Sequence, residues 1–359
     1  MTGGERVGLR DVWDYIRAKG DPRLRRQGYV SNGVGLLERY RRAERFWEPH
    51  LENNRQALRE IAAQLAGANS QQPIANSQAR GGTLLVLGAG RLLDVPWSEL
   101  FPLFARVVLA DADGAIVPHV ERLVAGAPGV PKPLFEIGDV TASVVDAAAW
   151  AEHTLRAAGS ASSAAQALAE GFERAGAEQP PWARTYADVR LVVSTNLLSQ
   201  LGYFPRVHVQ TAFRKRFGEP FAEHERAAES LERYFDRVRA RHIADVASFK
   251  KAWAYVSTDV EVLAYELTAP AAGITSAPAP ANGGVELNAR GDVEFAWPVK
   301  VEKCDDPLHG QRVKDLWPRG AKVGPPRRWA WHIIPQGSEK GYLDRGRVHV
   351  VEAWVKLPA

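Results

Sequence analysis

The chain has 359 residues and a single cysteine, Cys304. One thiol excludes a disulfide within the chain and a zinc site built from several thiolates. No two histidines stand at the short spacing of a metal pair, and the run Asp305-Asp306-Pro307-Leu308-His309 does not supply one, so no metal is expected. Long apolar runs are missing as well: nothing approaches the roughly eighteen residues that would cross a membrane. The N-terminus, MTGGERVGLRDVWDYIR, scatters charges where a secretion signal would be apolar. The expectation is a cytoplasmic protein without a membrane span. Charge of one sign is not concentrated either: 46 basic against 42 acidic residues leave a net charge of +4, with the arginines spread along the whole length. That balance does not point to nucleic acid. No internal repeat is visible. What remains is an ordinary globular composition, 45% hydrophobic and 25% charged, with enough chain for a large core.

The informative stretch runs from Gly81 to Gly114. An apolar run, Leu84-Leu85-Val86-Leu87, breaks into Gly88-Ala89-Gly90, continues through a helix-length segment, and ends in a second run, Val107-Val108-Leu109-Ala110, closed by Asp111. Strands of a parallel sheet buried on both faces read as continuous apolar runs, and the connection between them must cross over, usually as a helix. The glycines permit a tight bend and close approach of a ligand to the backbone. An acid at the tip of the second strand can accept hydrogen bonds from a ribose diol. Gly88 and Asp111 are 23 positions apart, the spacing of a nucleotide-binding half.

Upstream, Leu37, Tyr40, Trp47, Leu51, Leu58, Ile61 and Leu65 fall at helical spacing, and Pro49 should divide them into two helices. Residues 1–80 thus form a helical extension, ending in a polar linker at 67–82, that could cover a site as a lid. Residues 81–359 form the sheet domain. After Asp111 come a helix over 116–123 and a short strand at Leu134–Ile137. A helical insertion follows near 141–183, then a buried strand, Asp188 to Asn196. A long helix over 219–249 leads to a fifth strand at 254–259. A flexible loop over 269–284 precedes strand-like runs over 284–299, 328–334 and 347–355, the last two arranged as a hairpin. The fold class is α/β: a doubly wound, mostly parallel sheet with a closing antiparallel hairpin and an N-terminal helical extension.

This order of elements, with its glycine turn, its acids after the second and third strands and its closing hairpin, resembles class I S-adenosylmethionine-dependent methyltransferases. The resemblance implies S-adenosylmethionine as cofactor and methyl transfer to a small or medium-sized acceptor. It places Gly88, Ala89 and Gly90 against the methionine part, Asp111 with Ala112 at the ribose, and Asp139 with Val140 at the adenine. Ser194 would complete the cofactor shell, and Asn196 would stand where acceptor and methyl donor meet. Two positions depart from the family pattern. Val86 stands where an acid is usual, and Leu92 replaces the third glycine of the turn. Asp94 is a candidate to restore the acid from the other side of the turn.

Other readings stay open at this level. A non-catalytic scaffold of methyltransferase shape would account for Val86 and Leu92. A nicotinamide-dependent oxidoreductase would need a glycine where Leu93 stands. Asn196 could contact ligand, aided by Gln200, or cap the following helix. His309, on a loop between late strands, is the candidate proton acceptor, whereas His50, His242 and His332 have neighbours that suggest packing. Among the eleven tryptophans, Trp329, Trp331 and Trp354 could form an aromatic wall for a ligand or simply pack the core.

Overall fold

The apolar runs become neighbouring strands of one sheet in the computed structural model, which describes Trp13 and residues 20–68, 81–268 and 284–359. Thr83–Leu87 (β1), Arg106–Asp111 (β2), Leu134–Ile137 (β3), Val189–Thr195 (β4) and Trp253–Leu267 (β5) pair in parallel in the order β3-β2-β1-β4-β5. Val285–Leu287 (β6) and Val293–Phe295 (β7) form a separate antiparallel pair, and Val299–Asp305 (β8) runs antiparallel along the far end of β5. Arg327–Ile334 (β9) and Gly346–Lys356 (β10) close the main sheet, with β10 antiparallel between β5 and β9.

Alternation along the strands builds two cores. On β1, Leu84 and Val86 join Val107, Leu109, Leu191 and Val193 on one face, while Leu85 and Leu87 join Val108, Ala110 and Val192 on the other. Among the described residues the helices of five residues or more are Pro22–Arg26 (α1), Tyr29–Ala68 (α2), Ile116–Val124 (α3), Val144–Ala157 (α4), Ala161–Arg174 (α5), Tyr203–Phe217 (α6) and Glu225–Ser248 (α7). Phe46, Trp47, Leu51, Leu58, Ile61 and Leu65 of α2 cover the first face. The second is covered from α4, α5 and α7, where Leu155, Leu168, Phe172, Phe235 and Val238 are buried. Each such Leu, Val or Phe contributes roughly 1.5–3 kcal/mol of transfer free energy, so the helical extension shares the sheet's core rather than resting on it.

Three elements differ from the sequence reading. The segment between β1 and β2 holds only a helical turn at Trp97–Leu100 and a 3₁₀ turn at Phe101–Leu103. Pro96 and Pro102 remove two backbone donors within it, which denies the segment a regular helix. In α2 the two helical segments meet at Ala43 (φ −118°, ψ 19°), and Pro49 lies inside the second instead of dividing them. The long helix expected over 219–249 begins at Glu225, and a further helix, α6, precedes it. The residues 141–183 hold α4 and α5, separated at Ser160, whose hydroxyl accepts the Ser163 N–H as an N-cap. Positions 69–80 of the linker and 269–283 of the expected loop lie outside the described residues.

Candidate functional site

Strand order reverses between β1 and β4, and a cleft opens beyond the carboxyl ends of these strands, where doubly wound sheets place their ligands. It offers about 160 Å³, where a single water needs roughly 10–15 Å³, so it admits an organic molecule rather than trapped solvent. The turn after β1 forms its floor. Gly88 (φ +65°) and Gly90 (φ +50°) both take the left-handed conformation that favours glycine. A Cβ on Gly88 would also come within 3.0 Å of Leu197, whereas one on Gly90 would meet nothing closer than the Gly88 carbonyl oxygen at 3.9 Å. The backbone at Gly90 is therefore bare toward the open space. Leu92 keeps a left-handed φ of +56° without being glycine, and its side chain is buried. A left-handed backbone at a leucine costs about 1–3 kcal/mol of strain.

Asp111 stands at the tip of β2 and lines the cleft. One carboxylate oxygen accepts the Gly90 N–H at 2.7 Å and the other accepts the Asp113 N–H at 2.7 Å. Each oxygen keeps a further lone pair for a ligand. Burial pushes this carboxyl above the usual carboxylate range, against the pull of those two N–H groups and of Arg91. Asp139 also lines the cleft but serves its own loop. It accepts from the Thr141 N–H at 2.8 Å, the Thr141 hydroxyl at 2.7 Å and the Val145 N–H at 2.9 Å, and so caps the start of α4. Ala89, Ala112 and Val140 line the same space.

The opposite wall comes from α2, β4 and β9. Asn196, just past β4, has a φ of +52°, tolerable for Asn, and caps no helix. Its side-chain nitrogen donates to Asp94 Oδ2 at 3.1 Å and lies 3.0 Å from His50 Nε2. His50 is stacked on Trp331 at 4.0 Å between ring centroids, and its Nδ1 accepts the Trp329 indole N–H at 3.0 Å. An indole can only donate, so Nδ1 is the acceptor there, and Nε2 is occupied by the side-chain nitrogens of Asn196 at 3.0 Å and Asn54 at 3.3 Å. Burial pushes the His50 pKa down to about 3. This histidine is thus a neutral orienting group with no nitrogen left to act as a base. Val86 lies fully buried against α2, where a carboxylate would have no water. Asp94 lines the cleft instead.

Of the residues singled out from sequence, the fold brings together Gly88, Ala89, Gly90, Asp94, Asp111, Ala112, Asp139, Val140, Asn196 and Gln200. Ser194 does not join them: its hydroxyl is 3.0 Å from His242 Nε2, on the face covered by α7. His309 does not either. It sits in a left-handed turn (φ +50°) with its Nε2 3.2 Å from Glu232 of α7 and is not among the cleft-lining residues. Trp331 lines the cleft, Trp329 anchors His50, and Trp354 packs into the opposite core. His50, whose sequence neighbours suggest packing, also lines the cleft, and a signal for that exists. His50 and Asn54 are polar residues four apart on the otherwise apolar stripe of Trp47, Leu51 and Leu58. Among the described residues no cluster of metal-ligating side chains occurs, and no helix is long and apolar enough to cross a membrane. No protein-family model matches the chain, and no curated protein matches its sequence.

Proposed function

We propose that the cleft binds S-adenosylmethionine and that the protein, as a cytoplasmic enzyme, transfers its methyl group to a small or medium-sized acceptor. The observation that carries this reading is the Asp111 carboxylate at the strand-order reversal, tied to the Gly90 N–H and open to the same space as the bare backbone at Gly90. When bound, the cofactor supplies a methyl carbon already made electrophilic by its sulfonium sulfur. The chain's own residues are left with alignment and exclusion of water. Gly88 and Gly90 let a ligand approach the backbone. Asp111 offers lone pairs to vicinal hydroxyls. Tyr29, Leu36 and Trp47 of α2 roof the cleft against solvent, and Asn196 and Gln200 face the acceptor side.

The same geometry counts against a nicotinamide dinucleotide. Such a ligand rests its pyrophosphate on the N-terminus of the helix that follows the glycine turn. Here that helix is reduced to the turn at Trp97–Leu100, ten residues past Leu87. A sulfonium nucleoside carries no phosphate and has no use for it.

Calorimetric titration with S-adenosylmethionine, S-adenosylhomocysteine and reduced nicotinamide dinucleotide tests the proposal. Heat is expected from the first two only. Asp111→Ala should weaken both more than tenfold, in line with about 1.5–3 kcal/mol for hydrogen bonds to a charged group. A folded wild-type protein silent to both sulfur nucleosides would overturn it.

A further inference from the structure

The cleft combines aromatic side chains with a carboxylate, Asp94, which Asn196 ties to the His50–Trp331 wall, and among the described residues it offers no free cation. Trp47, Trp331, Tyr29 and Phe204 line it, and Asp94 stands among them. Among the described cleft-lining residues the one cation is Arg91, which is buried, donates to the Ala115 carbonyl at 2.8 Å and lies 3.6 Å from Asp113. His50 cannot take up the part, because its ring is held neutral between Trp329 and the two amides. Arg55, the basic residue behind this wall, gives its guanidinium to the Leu93 carbonyl at 2.8 Å and to Glu48. The Asn196 amide donates to Asp94 Oδ2 at 3.1 Å, a neutral partner that leaves the charge of a carboxylate in this enclosure unpaired. A second observation lies in the same wall. Trp331 is only 5% exposed, and its indole N–H has no partner among the described residues. A ligand bearing an acceptor atom would satisfy it.

We propose that the methyl acceptor is a small amine that also carries a hydrogen-bond acceptor, held as its ammonium by Asp94 against the rings of Trp47 and Trp331. The inference rests on the methyl-transfer reading above. An anionic acceptor finds no free cation in this wall, whereas an ammonium finds a carboxylate among aromatic side chains. In the reaction the ammonium passes one proton to Asp94. The lone pair so freed forms the new N–CH₃ bond while the sulfonium C–S bond breaks, its electron pair returning to sulfur. Positive charge moves from sulfur to nitrogen, and the Asp94 proton leaves to solvent with the product, one proton for each methyl moved.

The test is a calorimetric series on the intact chain with 2-phenylethylamine, 2-phenylethanol and 3-phenylpropionate, three probes of like size and different charge. The amine should bind at least about tenfold tighter than the alcohol, with the carboxylate weakest, as a charge-assisted hydrogen bond and a ring contact require. Asp94→Asn should erase the preference and leave the affinity for 2-phenylethanol within about twofold, since the alcohol makes no charge-assisted bond to that carboxylate. Equal or tighter binding of the alcohol or the carboxylate to the wild type would overturn the inference, as would an Asp94→Asn protein that keeps the preference. If that variant fails to fold, the wild-type series decides alone. S-adenosylhomocysteine titrated in parallel separates the two failures. Its binding without an amine preference refutes the acceptor class only, and its failure to bind refutes the methyl-transfer reading beneath it.

Discussion

Around the glycine turn the cleft is held by bonds between residues close in sequence, whereas its opposite wall is held by bonds that span most of the chain. Asp111 meets Gly90 and Asp113 at separations of 21 and 2 residues, and Asp139 meets Thr141 and Val145 at 2 and 6. Across the cleft, Asn196 meets Asp94 at a separation of 102 and His50 at 146, and Trp329 meets His50 at 279. The first half can form as soon as β1, β2 and β3 pair. The second exists only once α2 has docked on β9, which makes it the half that substitutions in the extension should disturb.

Trp47→Ala should have the largest effect. The side chain is buried, meets Trp331 edge to face at 5.0 Å and donates its indole N–H to the Ile333 carbonyl at 2.8 Å. A loss of about 3–5 kcal/mol in denaturant unfolding is expected. A loss below about 1 kcal/mol would mean that α2 is not part of the cooperative core. In the other half, Leu92→Gly relieves a strained φ but empties a buried site, and the cavity should win by about 2–4 kcal/mol. Stabilisation would show that strain, not packing, dominates at the turn.

Gly33→Ala probes the seam between the halves. A Cβ there would lie 2.1 Å from Asp113 Oδ2, so α2 or the Asp113 carboxylate, which also accepts the Ala115 N–H, must shift, at about 1–3 kcal/mol and with weaker S-adenosylhomocysteine binding. Unchanged melting and binding would show that α2 approaches this loop loosely. Acid should act on the distant half through His50. Its folded pKa, about 3, lies below the ordinary value of 6.5, so between these the unfolded chain binds the extra proton. Stability should fall as pH drops through that window, by at most about 1.4 kcal/mol per pH unit for this group. Unfolding measured from neutral pH downward should be less steep for His50→Gln, and identical slopes would remove His50 from the account. The smallest effect belongs to the surface pair Arg39–Glu339, 2.5 Å apart and partly exposed. Glu339→Gln should cost under about 1 kcal/mol, fading with salt.

Much of the parallel sheet was legible because a strand buried on both faces has to be written as a run of Leu, Val and Ile. The runs at Leu84–Leu87, Val107–Ala110 and Leu191–Val193 all became strands, each bounded by polar or glycine residues where it leaves the sheet. The helix expected between β1 and β2 was not there, since apolar spacing does not reveal what two prolines withhold from the backbone. The site divided along the same line. Gly88, Gly90, Asp111 and Asp139 could be read from offsets along a short stretch. His50 looked like packing, because its partners Trp329, Trp331 and Asn196 lie far along the chain. His309, expected as a proton acceptor, is not among the cleft-lining residues, because no local pattern tells where a late loop reaches.

The amino-acid order by itself determined the strands, the glycine bend and the acid that faces it, since these depend on burial period, backbone freedom and spacing within a few turns of chain. Only the tertiary structure decided what the cleft contains beyond that bend. Docking α2 across β4 and β9 desolvates His50, sets Asp94 beside Asn196 and walls both with tryptophan, and such neighbours are chosen by packing in space rather than by distance along the chain.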